Sequence, residues 1–256
     1  MYYFISDVHL GFFEKDKNKK IENRLIELLD KISNDCQEIF FVGDIFDYWF
    51  DYNRVVPRDF YRILTKIEQL TSKGIKITYL MGNHDFGHYN FFQQDLGIKV
   101  IEEDIEREIS NKKFFISHGD GKDKKDVGYL LLKKVLRNKF NRLLYKYIHP
   151  DLGIGIASGS SKKSRKYTSK KDYGEYDAQK EYALKKIVQG FDYVVMGHRH
   201  RVEKYYYKQG NAKGYYINLG DWIKKATFGR FDGEKFDLLY VKEYLKGEEK
   251  TVKENS

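Results

Sequence analysis

The chain is short of several common residue signals. It has a single cysteine, Cys36, so no intrachain disulfide can form and a reducing compartment suits it. Cys36 sits just before an expected strand and reads as a small buried residue rather than a reactive one. No apolar run approaches the ~20 residues needed to span a bilayer, which excludes a transmembrane helix. No basic segment, apolar stretch and small-residue cleavage site precede Tyr2-Tyr3-Phe4-Ile5, so no secretory signal is expected. The protein is therefore expected to be cytoplasmic, either soluble or peripheral at a membrane surface. Acidic residues are scarce in one segment: between Lys122 and Lys171 there are 15 Lys/Arg against 3 Asp/Glu, a local charge of +12 in a chain whose total is +9. So concentrated a block is expected to meet something anionic, although a solvated lysine-rich face has the same composition.

What is present points to a globular domain. At 256 residues, 41% hydrophobic and 16% aromatic, the chain can bury a substantial core as one domain spanning 1–256, with an inserted lobe. Tyr2–Ser6, Glu38–Val42, Ile75–Met81, Lys113–Ser117 and Tyr193–Met196 are short aromatic and β-branched runs that read as strands. Between them, Ile21, Leu25, Leu28, Leu29 and Ile32, and then Phe60, Ile63, Leu64, Ile67 and Leu70, recur at helical spacing. A third helix is expected from Gln179 to Gly190. This alternation gives an α/β (α+β) fold. Tyr215–Leu219, Thr227–Phe231 and Phe236–Val241 follow as strands without helices between them, with Asp232-Gly233 as a hairpin turn, which suggests an antiparallel portion. The charged tail from Lys246 to Ser256 is expected to fray.

The segment from Asp126 to Ser164 stands apart. Leu130, Leu131, Val135, Leu136, Phe140, Leu143, Leu144, Tyr147 and Ile148 form an apolar stripe, with Lys and Arg between them. It reads as a basic amphipathic helix or helix pair, ended by Pro150 and followed by a stretch rich in Gly, Ser and Lys. Such a stripe can pack on a core, or it can form a lid, at about 122–171, that holds an acyl chain or touches a membrane.

Five motifs follow directly on the expected strands: Asp7-Val8-His9, Gly43-Asp44-Ile45-Phe46-Asp47, Gly82-Asn83-His84-Asp85, His118-Gly119-Asp120 and Gly197-His198-Arg199-His200. They hold five of the seven histidines, beside carboxylates and an Asn. Loops at the carboxyl ends of neighbouring strands converge, so these residues form a ligand set for two divalent metals. Imidazole and carboxylate ligands let a divalent ion lower the pKa of water towards ~7, and a pair of ions can clamp a phosphoryl oxygen. His198 and His200 lie on alternate sides of an extended segment and are better divided between two ions. Asp-X-His and Gly-Asp-X-X-Asp are weak signals alone; five motifs in this order are a strong one.

These motifs resemble the calcineurin-like metallophosphoesterase superfamily, from Asp7 to about Asp221. The resemblance implies a sandwich of two mixed β-sheets flanked by helices, with the inserted helical lid. It also implies metal ligation by Asp7, His9, Asp44, Asn83, His118, His198 and His200, with Asp7, His9 and His200 on one ion, Asn83, His118 and His198 on the other, and Asp44 bridging. His84 then contacts the scissile phosphate and Asp85 orients it. Within the superfamily the chain is most similar to the UDP-2,3-diacylglucosamine hydrolases of lipid A synthesis. Ser6-Asp7-Val8-His9-Leu10-Gly11, the continuation of Gly43-Asp44 to Tyr48-Trp49, Asp126-Val127-Gly128-Tyr129 after His118-Gly119-Asp120, and Leu219-Gly220-Asp221-Trp222 carry that similarity.

The closer similarity implies hydrolysis of a nucleotide-activated glycolipid at the inner face of the inner membrane. The cofactor implied is two divalent ions, usually Mn²⁺, with Fe or Zn also suited to such ligands. Asp126 and Tyr129 match residues near the substrate. Ser161, Lys162 and Arg165 are candidates for the phosphate or uridine side. Many of those hydrolases carry Arg where this chain has His84. A phosphate monoester leaving group has a second pKa of ~6 and departs without a proton, so either side chain can stabilise the charge. Asp47 either orients a ligand or caps its turn, Asp120 supports the His118 loop, His88 reads as a surface-loop residue and His149 as structural. Two competing readings are a nuclease or nucleotide phosphodiesterase, and a non-catalytic scaffold of the same fold. Nucleic acid is disfavoured because the basic block is interleaved with aliphatic residues rather than aromatic ones, and a scaffold has no need of seven converging ligands. No obligate protein partner is inferred.

Overall fold

Alternation along single strands decides the layers. In the first strand, Tyr3 and Ile5 point into one apolar cluster and Phe4 into another. In the second, Ile39 and Phe41 join the first cluster, and Phe40 and Val42 the second. Both faces of this sheet are therefore covered, as a largely parallel sheet requires. A computed structural model describes residues 1–124, 126–168 and 177–255, with the side chains of 139 and 160–168 outside the described set.

The first half of the chain forms β1 (Tyr2–Ile5), α1 (Lys15–Ile32), β2 (Glu38–Val42), α2 (Tyr61–Ser72), β3 (Lys76–Leu80), α3 (Phe91–Gln94), β4 (Lys99–Ile101), β5 (Ile105–Ile109) and β6 (Lys112–Ser117). Three helices follow, α4 (Val127–Arg137), α5 (Lys139–Tyr145) and α6 (Pro150–Thr168), and then α7 (Ala178–Val188). The remainder is β7 (Tyr193–Met196), β8 (Glu203–Gln209), β9 (Ala212–Asn218), β10 (Thr227–Phe231), β11 (Phe236–Tyr240), α8 (Val241–Leu245) and β12 (Glu254–Asn255). Two six-stranded sheets result, ordered β11-β10-β1-β2-β3-β4 and β12-β8-β9-β7-β6-β5. Both are mixed: β1 is parallel to β2 and antiparallel to β10, and β7 is parallel to β6 and β9 while β8 is antiparallel to β9.

The sheets meet across an aromatic joint. Phe4 stacks on Phe40 beside it at 4.9 Å and on Phe114 of the opposite sheet at 5.9 Å. The outer face of the first sheet is covered by α1 and α2 through Leu25, Leu28, Leu29, Ile63 and Ile67. The outer face of the second takes Ala183 and Ile187 of α7 against Phe115, Val194 and Met196. The sandwich of two mixed sheets flanked by helices is thus as expected.

Several expectations are corrected. Pro150 opens α6 instead of ending the helical segment: a first-turn proline loses no hydrogen bond and its φ is already helical. The tail does not fray. Val252 donates to Leu238 O at 2.8 Å, and Glu254–Asn255 add a parallel strand to β8. Of the two roles left open for the apolar stripe of the inserted helices, packing on the core is not the one observed. Tyr129, Lys133 and Arg137, at i, i+4 and i+8 of α4, face inward, while Leu131, Leu132, Val135 and Leu136 are exposed. Phe140, Leu143, Leu144 and Tyr147 extend that exposed apolar surface. No helix among the described residues is long and apolar enough to cross a membrane.

Candidate metal centre

All five motifs lie at the carboxyl ends of strands that are parallel within their sheets. Asp7 and His9 follow β1, Asp44 follows β2, Asn83 and His84 follow β3, His118 follows β6, and His198 and His200 follow β7. The loops are held in an unusual backbone state. Asp7, His9, Asp44, His198 and His200 have φ of 52°, 53°, 54°, 66° and 54°. Left-handed φ at non-glycine residues costs roughly 1–2 kcal/mol each. Cross-strand bonds offset it: Asp7 N donates to Gly43 O at 3.1 Å, His9 N to Asp44 O at 3.0 Å, and Gly197 N to His118 O at 3.1 Å. Two glycines make room for the carboxylates. A Cβ on Gly82 would stand 2.0 Å from Asp44 Oδ1, and one on Gly197 2.3 Å from Asp7 Oδ2.

Two groups of side chains converge. In the first, His200 Nε2 is 3.2 Å from Asp7 Oδ1 and 3.2 Å from His9 Nε2. In the second, His118 Nε2 is 3.3 Å from Asp44 Oδ2 and 3.1 Å from Asn83 Oδ1, and His198 Nδ1 is 2.8 Å from Asn83 Oδ1. Asp44 Oδ2 also lies 3.9 Å from His9 Nε2, so this one carboxylate reaches both groups. Asp7, His9, Asp44 and His118 are buried, whereas Asn83, His84, His198 and His200 remain partly open and form the accessible face.

The donor chemistry fits divalent cations. His118 Nδ1 lies 2.9 Å from Val42 O, so that nitrogen carries the proton and Nε2 turns its lone pair to the centre. His9 Nδ1 faces Asp47 Oδ1 at 3.5 Å and His200 Nδ1 faces Asp221 Oδ2 at 3.7 Å, which leaves their Nε2 atoms inward in the same way. Two imidazole lone pairs 3.2 Å apart across a shared carboxylate call for a positive charge between them. The titration behaviour agrees. Burial opposes ionisation of Asp7 and Asp44, but neighbouring imidazoles hold both carboxyls well below the usual range. Burial also opposes protonation of His118, but Asp44 pushes it up to about 10. Burial and the His118 charge lower His198 to about 4.

Asp85 departs from its expected place. It is fully buried and accepts the backbone N–H groups of Asp44 at 3.1 Å, Ile45 at 2.8 Å, Phe46 at 3.3 Å and Gly82 at 2.8 Å, together with the Tyr79 hydroxyl. It shapes the Asp44 loop rather than orienting His84. Burial and the Asp44 charge raise its carboxyl to about 6. The carboxylate that faces His84 Nδ1 is Asp47, at 3.9 Å, so Asp47 stands beside both His9 and His84. Asp221, which sequence reasoning noted only as part of a motif, is the partner of His200; an acidic residue in that fixed tetrapeptide was the available signal.

His88 is not a surface residue. It is 2% exposed and lies against Trp49, Tyr79 and Phe92. Burial and the Arg142 charge lower it to about 3. His149 is exposed near Asp151. Cys36 is half-buried, which pushes its thiol up to about 12. Asp120 receives the Tyr129 hydroxyl at 2.7 Å and Lys133 Nζ at 2.7 Å, and Arg137 donates to Gly82 O at 3.0 Å. These bonds tie α4 to the loops carrying His118 and Asn83. Asp126 caps α4, accepting from Tyr129 N at 3.2 Å. Ser161, Lys162 and Arg165 fall on α6, where their side chains lie outside the described residues.

Residues 2–202 match the calcineurin-like phosphoesterase family. A UDP-2,3-diacylglucosamine hydrolase of Porphyromonas gingivalis is 33% identical over 251 residues, covering 90% of this chain and 94% of that protein. Another of that name, from Haemophilus ducreyi, is 25% identical over 242 residues, covering 93% and 99%. Among solved structures, an E. coli phosphoesterase aligns over 98% of this chain and 96% of its own with a TM-score of 0.47 at 12% identity. With a family match across most of its length and a relative of this identity over nearly all of it, the chain belongs to the calcineurin-like phosphoesterases and is a metal-dependent hydrolase.

Proposed function

We propose that this protein hydrolyses the pyrophosphate of UDP-2,3-diacylglucosamine to UMP and 2,3-diacylglucosamine 1-phosphate. The observation that carries the chemistry is the pair of converging groups joined through Asp44. The substrate follows from the full-length similarity to hydrolases of that name. In this reading Asp7, His9 and His200 hold one ion and Asn83, His118 and His198 the other, with Asp44 between and Mn²⁺ the physiological metal. Bound divalent ions supply a hydroxide at neutral pH and neutralise charge on phosphoryl oxygens.

The chain's own groups do the rest. His84 stands on the accessible face, with its backbone N–H on Asp44 Oδ1 at 2.9 Å and its ring beside Asp47. It donates to the phosphoryl oxygens as charge develops. Water attacks the phosphorus next to uridine, and the lipid phosphate departs without needing a proton. The inserted helices, about 122–171, act as a lid of the single domain. Their exposed leucines, with Phe140 and Tyr147, receive acyl chains at the inner membrane surface, and the basic residues among them meet anionic headgroups. Asp126, Tyr129, Ser161 and Arg165 are the candidate substrate-binding residues in this reading.

The test is product analysis in ¹⁸O-water, with the substrate in anionic vesicles. UMP carrying the label, together with unlabelled lipid phosphate, is expected. Label in the lipid phosphate would contradict the site of attack, and no cleavage alongside turnover of a simple phosphodiester would remove the substrate assignment.

A further inference from the structure

A cleft of about 470 Å³ lies beside the centre and is used by nothing described so far. Its walls come from Leu80 and Met81 at the end of β3, Glu102–Asp104 after β4, the loop from His118 to Lys122, and the inward face of α4. The volume falls within the ~300–1,000 Å³ typical of small-molecule sites. His118 belongs both to this wall and to the metal centre, so a group bonded to a phosphorus held at the centre can extend into the cleft.

The lining decides what fits. Lys122, Lys133 and Arg137 face Glu102, Glu103, Asp104 and Asp120, so the walls carry no surplus of positive charge. Much of the charge is already paired: Lys122 bonds Asp104, Lys133 lies 2.7 Å from Asp120 and Arg137 3.7 Å from it, and Glu102 Oε2 lies 3.6 Å from Arg142 Nη1 of α5. A phosphate would meet as much repulsion as attraction. An acyl chain would have to desolvate this polar wall without replacing its hydrogen bonds, which costs several kcal/mol. A neutral group rich in both donors and acceptors suits it best. A uridine is such a group: its ribose hydroxyls and uracil N–H donate to carboxylates, and its carbonyls accept from ammonium and guanidinium.

Resting on the proposed reaction, we infer that this cleft is the nucleoside subsite, with Glu102 accepting from the ribose or the uracil. The substrate is then divided by chemistry: diphosphate at the metals, uridine against the inward polar side of α4, acyl chains on its outward apolar side. One helix sorts the two halves of an amphiphile.

The probe is UMP, measured as a competitive inhibitor and by direct titration calorimetry on the metal-loaded protein. Glu102→Gln removes the charge and its pairing with Arg142, and Glu102→Trp adds bulk to the cleft from a position 43% exposed. Loss of a hydrogen bond to a charged group corresponds to about tenfold or more in affinity. Both variants are expected to raise the UMP inhibition constant by about that factor, with Glu102→Trp the larger. Hydrolysis of bis(4-nitrophenyl) phosphate, which has no nucleoside, should stay within about twofold of wild type. Unchanged UMP affinity in both variants would overturn the subsite, as would turnover of the UDP-glycolipid without UMP inhibition. UMP binding without glycolipid turnover would instead remove the substrate assignment and leave the subsite standing.

Discussion

Replacing Asp85 with Asn should loosen the centre without touching a proposed ligand. One carboxylate oxygen takes Asp44 N and Gly82 N, and the other takes Ile45 N, Phe46 N and the Tyr79 hydroxyl. Asn keeps one oxygen and turns an NH₂ towards the donors that faced the other. At least two buried N–H groups then lose their acceptor, each at about 1–3 kcal/mol. The expected destabilisation is about 2–6 kcal/mol, against a total stability of roughly 5–15 kcal/mol for a domain. Over most of that range the variant still folds. Its Asp44 loop should be less ordered, so at least one divalent ion should bind more weakly. Urea denaturation of the metal-free protein gives the first quantity, and titration with Mn²⁺ followed by calorimetry gives the second. A variant as stable as wild type, with unchanged metal affinity, would refute the assignment of Asp85 as the brace of that loop.

Two further outcomes follow from buried or accessible histidines. His88 is lowered by burial to about 3, while the unfolded chain titrates near 6.5, so the unfolded state binds the extra proton between those values. Stability should fall on acidification below 6.5, by about 2 kcal/mol at pH 5, and His88→Leu should flatten that slope in denaturation curves at pH 5 and 7; an unchanged slope would remove His88 as its source. His84→Ala should lower kcat by roughly 10²–10³, as for loss of one charge-stabilising donor, whereas His84→Arg should retain turnover; an inactive His84→Arg with normal metal content would show that a titratable acid is required.

The parts of the molecule legible in the sequence are those where one residue's neighbours decide its place. Short aromatic and β-branched runs such as Tyr3-Phe4-Ile5 and Ile39-Phe40-Phe41 marked the strands, and the three- and four-residue spacing of Leu25, Leu28, Leu29 and Ile32 marked α1. The converging motifs were legible because each sits directly after such a strand. What was missed depends on distant partners. β8 is polar, and its neighbour β9 makes it a strand. β12 exists because Glu254–Asn255 find β8. His88 looked like a loop residue because nothing local announces Trp49 and Phe92 around it. The family resemblance gave Asp85 to His84, but its acceptors are used on a loop about 40 residues earlier. For the inserted helices the sequence left core packing and a lid both open for the same reason. An apolar stripe normally faces a core, and here Asp120 and Gly82 O draw the polar stripe inward instead.

The central claim is that two ions joined through Asp44 do the chemistry. Its most direct test is UMP release from UDP-2,3-diacylglucosamine by chelator-stripped protein, with and without added Mn²⁺, beside Asp44→Ala. Release that depends on Mn²⁺ with two equivalents bound is expected, with loss of both activity and full metal loading in Asp44→Ala. Undiminished release by stripped protein, or full activity in Asp44→Ala, would contradict it.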